Sequence, residues 1–182
     1  MTWTEPVSLS RDCDAIGIPS GVSRVLPAGT SVRVMQFLGS SYTVTSPLGM
    51  YRIDVKDADA MGLTPAAPSP PPERVDGTFN EKLVWDQLKT VYDPEIPINI
   101  ADLGLIYSCV TTPLIPSGYK IDVKMSMTAP GCGMGNVLKA DVEGKLSSLP
   151  EVREVNVEIV FDPPWNIDRM SEAARLQLGF DL

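Results

Sequence analysis

The sequence of 182 residues contains no histidine and only three cysteines, Cys13, Cys109 and Cys132. Without histidine the chain lacks the commonest general base, the Ser-His and Cys-His nucleophile pairs, and every zinc site that needs an imidazole ligand. Three cysteines are an odd and sparse set that does not suit a disulfide framework. We therefore expect a protein of a reducing compartment, the cytoplasm.

Excess positive charge and long apolar runs are also missing. The formal net charge is -8, whereas nonspecific binding to nucleic acid or to an anionic membrane needs a basic surface. No apolar run is long enough to span a bilayer, and the first residues lack the basic start and apolar core of a signal peptide. We expect neither nucleic acid nor a membrane among the partners.

Proline is concentrated in one stretch. Residues 64–77, TPAAPSPPPERVDG, contain five of the prolines and few apolar side chains, which is typical of an extended linker. The stretch separates an N-terminal module, residues 1–63, from a C-terminal module, residues 78–182.

The N-terminal module is rich in short β-type runs. Residues 31–38, 41–46 and 49–55 combine β-branched and aromatic side chains, and glycines such as Gly39 lie near the turns between them. Several short strands with tight turns predict a small β-rich, barrel-like module.

The C-terminal module alternates helix and strand. Apolar residues at helical spacing, beginning at Phe79, predict a first helix. Strands are predicted at residues 101–112, 119–128 and 152–161, and a second helix is predicted at residues 136–149. The first two strands form a hairpin, and a helical crossover makes the second and third parallel. The fold class is α+β: an α-β-β-α-β module with a three-stranded mixed sheet and helices on one face.

A glycine-rich loop joins the second predicted strand to the second predicted helix. The stretch MSMTAPGCGMGN, residues 125–136, places Cys132 among Gly131, Gly133 and Gly135. Unpaired N–H groups and the helix dipole at such a position favour a thiolate, so the pKa of Cys132 is expected to fall. The loop thus indicates a reactive or metal-binding thiolate; the alternative is a buried cysteine in a tight turn.

The other two cysteines point to structural roles. Cys109 lies in the middle of a predicted strand, where a small buried apolar side chain is the favoured interpretation. Cys13 lies between Asp12 and Asp14, whose charges should raise its pKa and leave it inert.

Polar residues near the loop are candidate supporting groups. Asp93 and Glu95, in DPEIP, and Asp102, in ADLGL, flank the start of the first predicted strand. Such carboxylates can act as acids or bases or ligate iron, but they can equally be solvated turn residues. Thr128 precedes the loop, where its hydroxyl could bond to a sulfur atom or cap the helix.

Three stretches together resemble a known family: DPEIPINIADLGLIY, MSMTAPGCGMG and FDPPWNIDRMSEAARLQLG. In this order and spacing they are similar to the iron–sulfur assembly domain family, which includes SufT-type proteins of the SUF system, the eukaryotic cytosolic iron–sulfur targeting factor and PaaD. The resemblance covers residues 78–182. The first module resembles the N-terminal extension of SufT-type proteins.

The resemblance implies a role in maturing iron–sulfur proteins, with Cys132 as the functional thiol and Asp93, Glu95, Asp102 and Thr128 at matching positions. It implies the SUF assembly machinery, iron–sulfur carrier proteins and apo-client proteins as partners. One cysteine cannot hold a cluster, which usually needs four thiolates. No tightly bound cofactor is therefore expected, only a transient cluster or iron that a second chain in a homo-oligomer, a carrier or a client helps to ligate.

This interpretation describes an accessory or targeting factor without turnover of its own. One alternative is a thiol-dependent enzyme with Cys132 as nucleophile or redox group and Glu95 or Asp102 as base. The lack of histidine and of a nearby resolving cysteine counts against it. A second alternative is a metal-free adaptor that binds clients.

Overall fold

The computed structural model describes residues 5–64, 79–129 and 133–180. These form two compact units, one of residues 5–64 with 94–97 and the other of residues 79–93 with 98–180. Of the predicted linker, residues 65–77 lie outside the described ranges, so its extended conformation stays a prediction. No helix in the described part of the chain is both long and apolar enough to cross a membrane.

The first unit contains a six-stranded antiparallel sheet with the strand order β1-β4-β5-β6-β2-β3. A 3₁₀ helix, Val55–Met61, follows the last strand. The strands are β1 (Val7–Ser8), β2 (Cys13–Ile18), β3 (Ser23–Leu26), β4 (Ser31–Phe37), β5 (Ser41–Ser46) and β6 (Gly49–Asp54).

The expected barrel-like closure is wrong. A barrel requires its two end strands to pair with each other, but within the described residues β1 pairs with β4 and β3 pairs with β2. Short strands and tight turns occur in open sheets and in barrels alike, so the local pattern does not distinguish them. The sheet is open, and its buried face packs on the 3₁₀ helix through side chains that include Leu26, Val44, Ile53 and Ala58.

The second unit holds a three-stranded mixed sheet with the order β7-β8-β9. Strands β7 and β8 are antiparallel, and β8 and β9 are parallel, so the predicted mixed sheet is confirmed. The elements of this unit are α1 (Glu81–Leu88), β7 (Ile106–Pro113), β8 (Tyr119–Met125), α2 (Gly135–Ser147), β9 (Val152–Ile159), a 3₁₀ helix (Ile167–Arg169) and α3 (Glu172–Gln177).

The core of this unit follows the two periodicities of its sequence. Ile121, Val123 and Met125 alternate along β8 and are buried, while Leu138 and Val142 recur at helical spacing on α2 and are fully buried. Helix α2 packs on β9 and α1 packs on α2. Burial of these apolar faces provides the main stabilisation of the unit.

The ends of the strands position the candidate site. Since β8 and β9 are parallel, both end at one edge of the sheet, where the Val160 amide donates to the Met125 carbonyl at 2.8 Å. At the same edge the Ser126 amide donates to the Leu105 carbonyl at 2.8 Å, just before β7 begins. The chain leaves this edge toward the glycine-rich loop and α2.

Candidate functional site

The loop predicted to carry the thiol is described on both sides but not at its centre. Gly131 and Cys132 lie outside the described residues, so the position of the thiol stays a prediction. Gly133 is exposed, and Gly135 is the buried first residue of α2.

Helix α2 begins directly against the end of the sheet. A Cβ atom on Gly135 would lie 3.4 Å from Ile159 Cδ1 and 3.8 Å from Met127 Cγ, so glycine allows this close packing. Met134 occupies the N-cap position and provides no side-chain hydrogen bond to the first turn. Among the described residues no side chain caps the N–H groups of that turn, and the helix dipole adds positive potential there.

Two hydroxyl groups lie between the end of β8 and the loop, because the strand ends at Met125 and not at the predicted residue 128. Thr128 is half-buried, whereas Ser126 is only 1% exposed. Among the described residues the Ser126 hydroxyl has no hydrogen-bond partner. Buried hydroxyl groups are normally paired, which makes Ser126 a feature of the site that the sequence reasoning missed. Its alternation with Lys124 predicts an outward, solvated side chain and contains no signal of burial.

The predicted acidic residues lie in two successive turns. Asp93 is buried, and its amide donates to the Ile98 carbonyl at 3.1 Å. Glu95 is exposed. Asp102 is half-buried and forms a reciprocal pair with Asn99: its carboxylate accepts from the Asn99 amide group at 2.6 Å, and its backbone N–H donates to Asn99 Oδ1 at 2.8 Å. The orientation of the Asp102 carboxylate is therefore set by turn geometry.

The structure brings the Asp102 turn and the end of β8, from which the chain continues to Thr128, to one edge of the sheet. Residues 101–104 form a turn, and β7 starts only at Ile106, later than the predicted start of that strand at residue 101. The hydrogen bond from Ser126 to Leu105 joins this turn to the end of β8.

The C-terminal segment, defined here as residues 163–171, lies across the Asp102 turn. The indole of Trp165 donates to the Leu103 carbonyl at 2.8 Å, and the Ser171 amide donates to the Asp102 carbonyl at 2.8 Å. These two hydrogen bonds hold the C-terminal segment, which is some sixty residues away in sequence, against the backbone at Asp102 and Leu103.

The close approach of this segment depends on Gly104. Gly104 has φ of +70°, and a Cβ atom on it would collide with the backbone of Arg169. The guanidinium of Arg169 lies 3.9 Å from the ring centroid of Tyr107, whose hydroxyl donates to the Pro163 carbonyl at 2.9 Å. Sequence reasoning missed Gly104, Tyr107 and Arg169. A glycine inside a predicted strand, which often marks a close backbone approach, was the available signal.

The two described cysteines are unsuited to form thiolates. Burial is the main cause that raises the pKa of Cys13 to about 11, with the Asp57 charge adding to it. Cys109 is half-buried, not fully buried as predicted, and this partial burial likewise raises its pKa to about 11. It pairs across the sheet with Val123. Both values agree with the structural roles expected from the sequence, although for Cys13 burial exceeds the effect of its neighbouring aspartates.

In the part of the chain that the structure describes, no three cysteine, aspartate or glutamate residues are grouped closely enough to hold a metal ion.

Comparison with known proteins places residues 81–159 in a family described as iron–sulfur cluster assembly protein. An Fe-S protein maturation auxiliary factor of Porphyromonas gingivalis is 45% identical over 100 residues, which are 55% of this chain and 91% of the relative. The maturation auxiliary factor YitW of Bacillus subtilis is 36% identical over 96 residues, 53% of this chain and 90% of the relative.

The relative named SufT, from Staphylococcus aureus, is 37% identical over 89 residues, 49% of this chain and 97% of the relative. Since 89 residues make up nearly all of that relative, it has no room for an N-terminal module such as residues 1–63. The expected correspondence of the first module with an extension of SufT-type proteins therefore finds no support in this relative. The family match also starts only at residue 81.

Proposed function

The chain belongs to the family of iron–sulfur cluster assembly proteins, and from this premise we propose that it is an accessory factor in the maturation of iron–sulfur proteins. The observation that carries the proposal is the 45% identity to a maturation auxiliary factor of which this chain covers 91%.

Within this function we assign the working thiol to Cys132. Cys13 and Cys109 have a pKa raised to about 11, so neither is a good thiolate at neutral pH. Cys132 is the remaining cysteine, and the sequence places it just before a helix whose N-cap residue, Met134, provides no side-chain hydrogen bond. A helix start of this kind favours an anionic sulfur.

The cargo of this thiol would be iron or an iron–sulfur cluster in transit. One thiolate cannot hold a cluster, and the described residues provide no group of three other ligands. The remaining ligands would come from a second copy of the chain, from a carrier of the SUF machinery or from the apo-client. A site that is completed only by a partner suits delivery because its cargo must leave.

The proposed factor has no turnover of its own. The chain contains no histidine to act as base toward Cys132. The Asp102 carboxylate is held by Asn99, which supports a role in shaping the turn. The enzyme and the metal-free adaptor remain alternatives that the following experiment separates.

The test is complementation of cells that lack the native protein, with aconitase activity as readout at matched soluble levels. Cys132→Ser should keep the fold, since serine is nearly isosteric, and should abolish the support of aconitase activity. Cys109→Ser should retain that support wherever the protein accumulates. Full activity of Cys132→Ser would remove the thiol from the mechanism and favour the adaptor. Turnover of a thioester or disulfide substrate by the wild-type protein would favour the enzyme.

A further inference from the structure

We propose that Arg169, held against Tyr107, is a docking point for a glutamate or aspartate side chain of an iron–sulfur client protein. The inference names the partner chemistry of the proposed function and rests on it.

The first step is that the guanidinium of Arg169 is pre-organised. It lies 3.9 Å from the Tyr107 ring centroid, and its Nε donates a long hydrogen bond of 3.4 Å to the Gly104 carbonyl. The Tyr107 ring is itself held by the hydrogen bond from its hydroxyl to the Pro163 carbonyl. An arginine positioned on an aromatic ring loses little further freedom when it binds a carboxylate.

The second step is that this cation has no anionic partner in the described part of the chain. Arg169 is exposed and forms no ion pair within 4.0 Å there, although Asp162 and Asp168 lie on the same stretch. Its two terminal Nη groups make no hydrogen bond to a described residue. They present the planar fork that binds a carboxylate through two parallel hydrogen bonds.

The third step is the exposed apolar surface of the stretch that leads from β9 to Arg169. Phe161, which follows β9, keeps 49% of its surface exposed, and Pro163 and Pro164 are also exposed. Aromatic and arginine side chains are the residues most enriched at the energetic centres of protein interfaces. The net charge of -8 and the exposed Asp162 and Asp168 do not attract an acidic partner, so the preference for a carboxylate rests on the free planar fork of Arg169 itself.

The location connects this surface to the proposed chemistry. Phe161 comes two residues after Ile159, the end of β9, and Tyr107 stands next to the start of β7. Both therefore lie at the edge of the sheet from which the chain leaves toward Cys132. A partner that docks its carboxylate on Arg169 is brought to the edge of the sheet where the loop begins.

The test is an NMR titration of the isotope-labelled full chain with two end-blocked peptides, Ac-GFEGG-amide and Ac-GFQGG-amide. The glutamate peptide should shift the Arg169 Nε–H and Tyr107 ring signals saturably, and the glutamine peptide should bind about tenfold more weakly. Added salt should reduce this difference.

Variants show whether Arg169 carries the preference. Arg169→Gln should abolish the difference between the two peptides, and Arg169→Lys should keep only part of it because an ammonium lacks the planar fork. Lys82→Gln is the matched control: it also removes one exposed positive charge, on α1, and should leave the difference unchanged. The lysine variant keeps the test valid if the glutamine variant unfolds.

Equal affinity for the two peptides, binding of neither, shifts confined to other residues, or a preference that survives Arg169→Gln would each overturn the inference. The titration contains no iron, sulfide or client protein. Its outcome is therefore separate from that of the complementation assay, and either proposal can fail alone.

Discussion

Gly104 lies against the backbone of Arg169 so closely that no side chain fits between them. This contact holds the C-terminal segment on the turn that contains Asp102, at the same edge of the sheet as the end of β8. Two residues that are 65 positions apart in sequence thus share one backbone contact.

Gly104→Ala should therefore lower the free energy of unfolding by more than about 2 kcal/mol. An alanine at φ of +70° is strained, and its Cβ would displace the Arg169 backbone. Gly144→Ala is the matched control: nothing lies within 4 Å of its Cβ position in α2, so a gain of up to about 1 kcal/mol is expected. Urea unfolding followed by tryptophan fluorescence measures both. A Gly104→Ala variant as stable as wild type would contradict the close contact.

Ser126→Ala should not cost stability, because it removes a buried hydroxyl that has no partner among the described residues. The free energy of unfolding should stay unchanged or rise by up to about 1 kcal/mol. Ser171→Ala provides the comparison: Ser171 accepts from the Ala174 amide at 3.2 Å as the N-cap of α3, so its loss should cost about 1 kcal/mol. A clear loss of stability in Ser126→Ala would show that the hydroxyl is paired in solution.

The three cysteines should differ in their rate of alkylation as the pH is raised. With a pKa of about 11, Cys13 and Cys109 are thiolates in only about one molecule per thousand at pH 8. Their rates should rise about tenfold per pH unit up to pH 11. Cys132 should react fastest below pH 8 and reach half of its maximal rate at a pH below about 8.5, the ordinary pKa of a cysteine thiol. Mass spectrometry of each site measures the rates, and a Cys132 rate no higher than that of Cys13 would refute an activated thiol.

A truncated chain that starts at Asp76 should fold and unfold in one cooperative transition, since the second unit has a buried core of its own in α2, β8 and β9. Circular dichroism during urea unfolding measures this. A broad, non-cooperative transition would show that the second unit depends on the first.

Local periodicity was enough to predict the centre of the second unit. Alternation in residues 119–128 and helical spacing in residues 136–149 arise from backbone geometry alone, and β8 and α2 appear within two to three residues of those bounds. The right-handed crossover rule then predicts the parallel pairing of β8 and β9 that the structure shows. The family resemblance also came from short stretches in order, and the match to residues 81–159 confirms it.

The sequence by itself thus determined the type of fold of the second unit and the family, because these follow from patterns of residues near in sequence. The raised pKa of Cys13 and of Cys109 comes mainly from burial, which the tertiary structure sets. Only the tertiary structure decided that the first sheet is open, that β7 starts at Ile106, and that Arg169 lies on Tyr107. Each of these depends on contacts between residues distant in sequence. The pairing of edge strands and the packing of one backbone segment on another produce no periodic pattern in the sequence. They depend on the relative positions of elements that are distant in sequence.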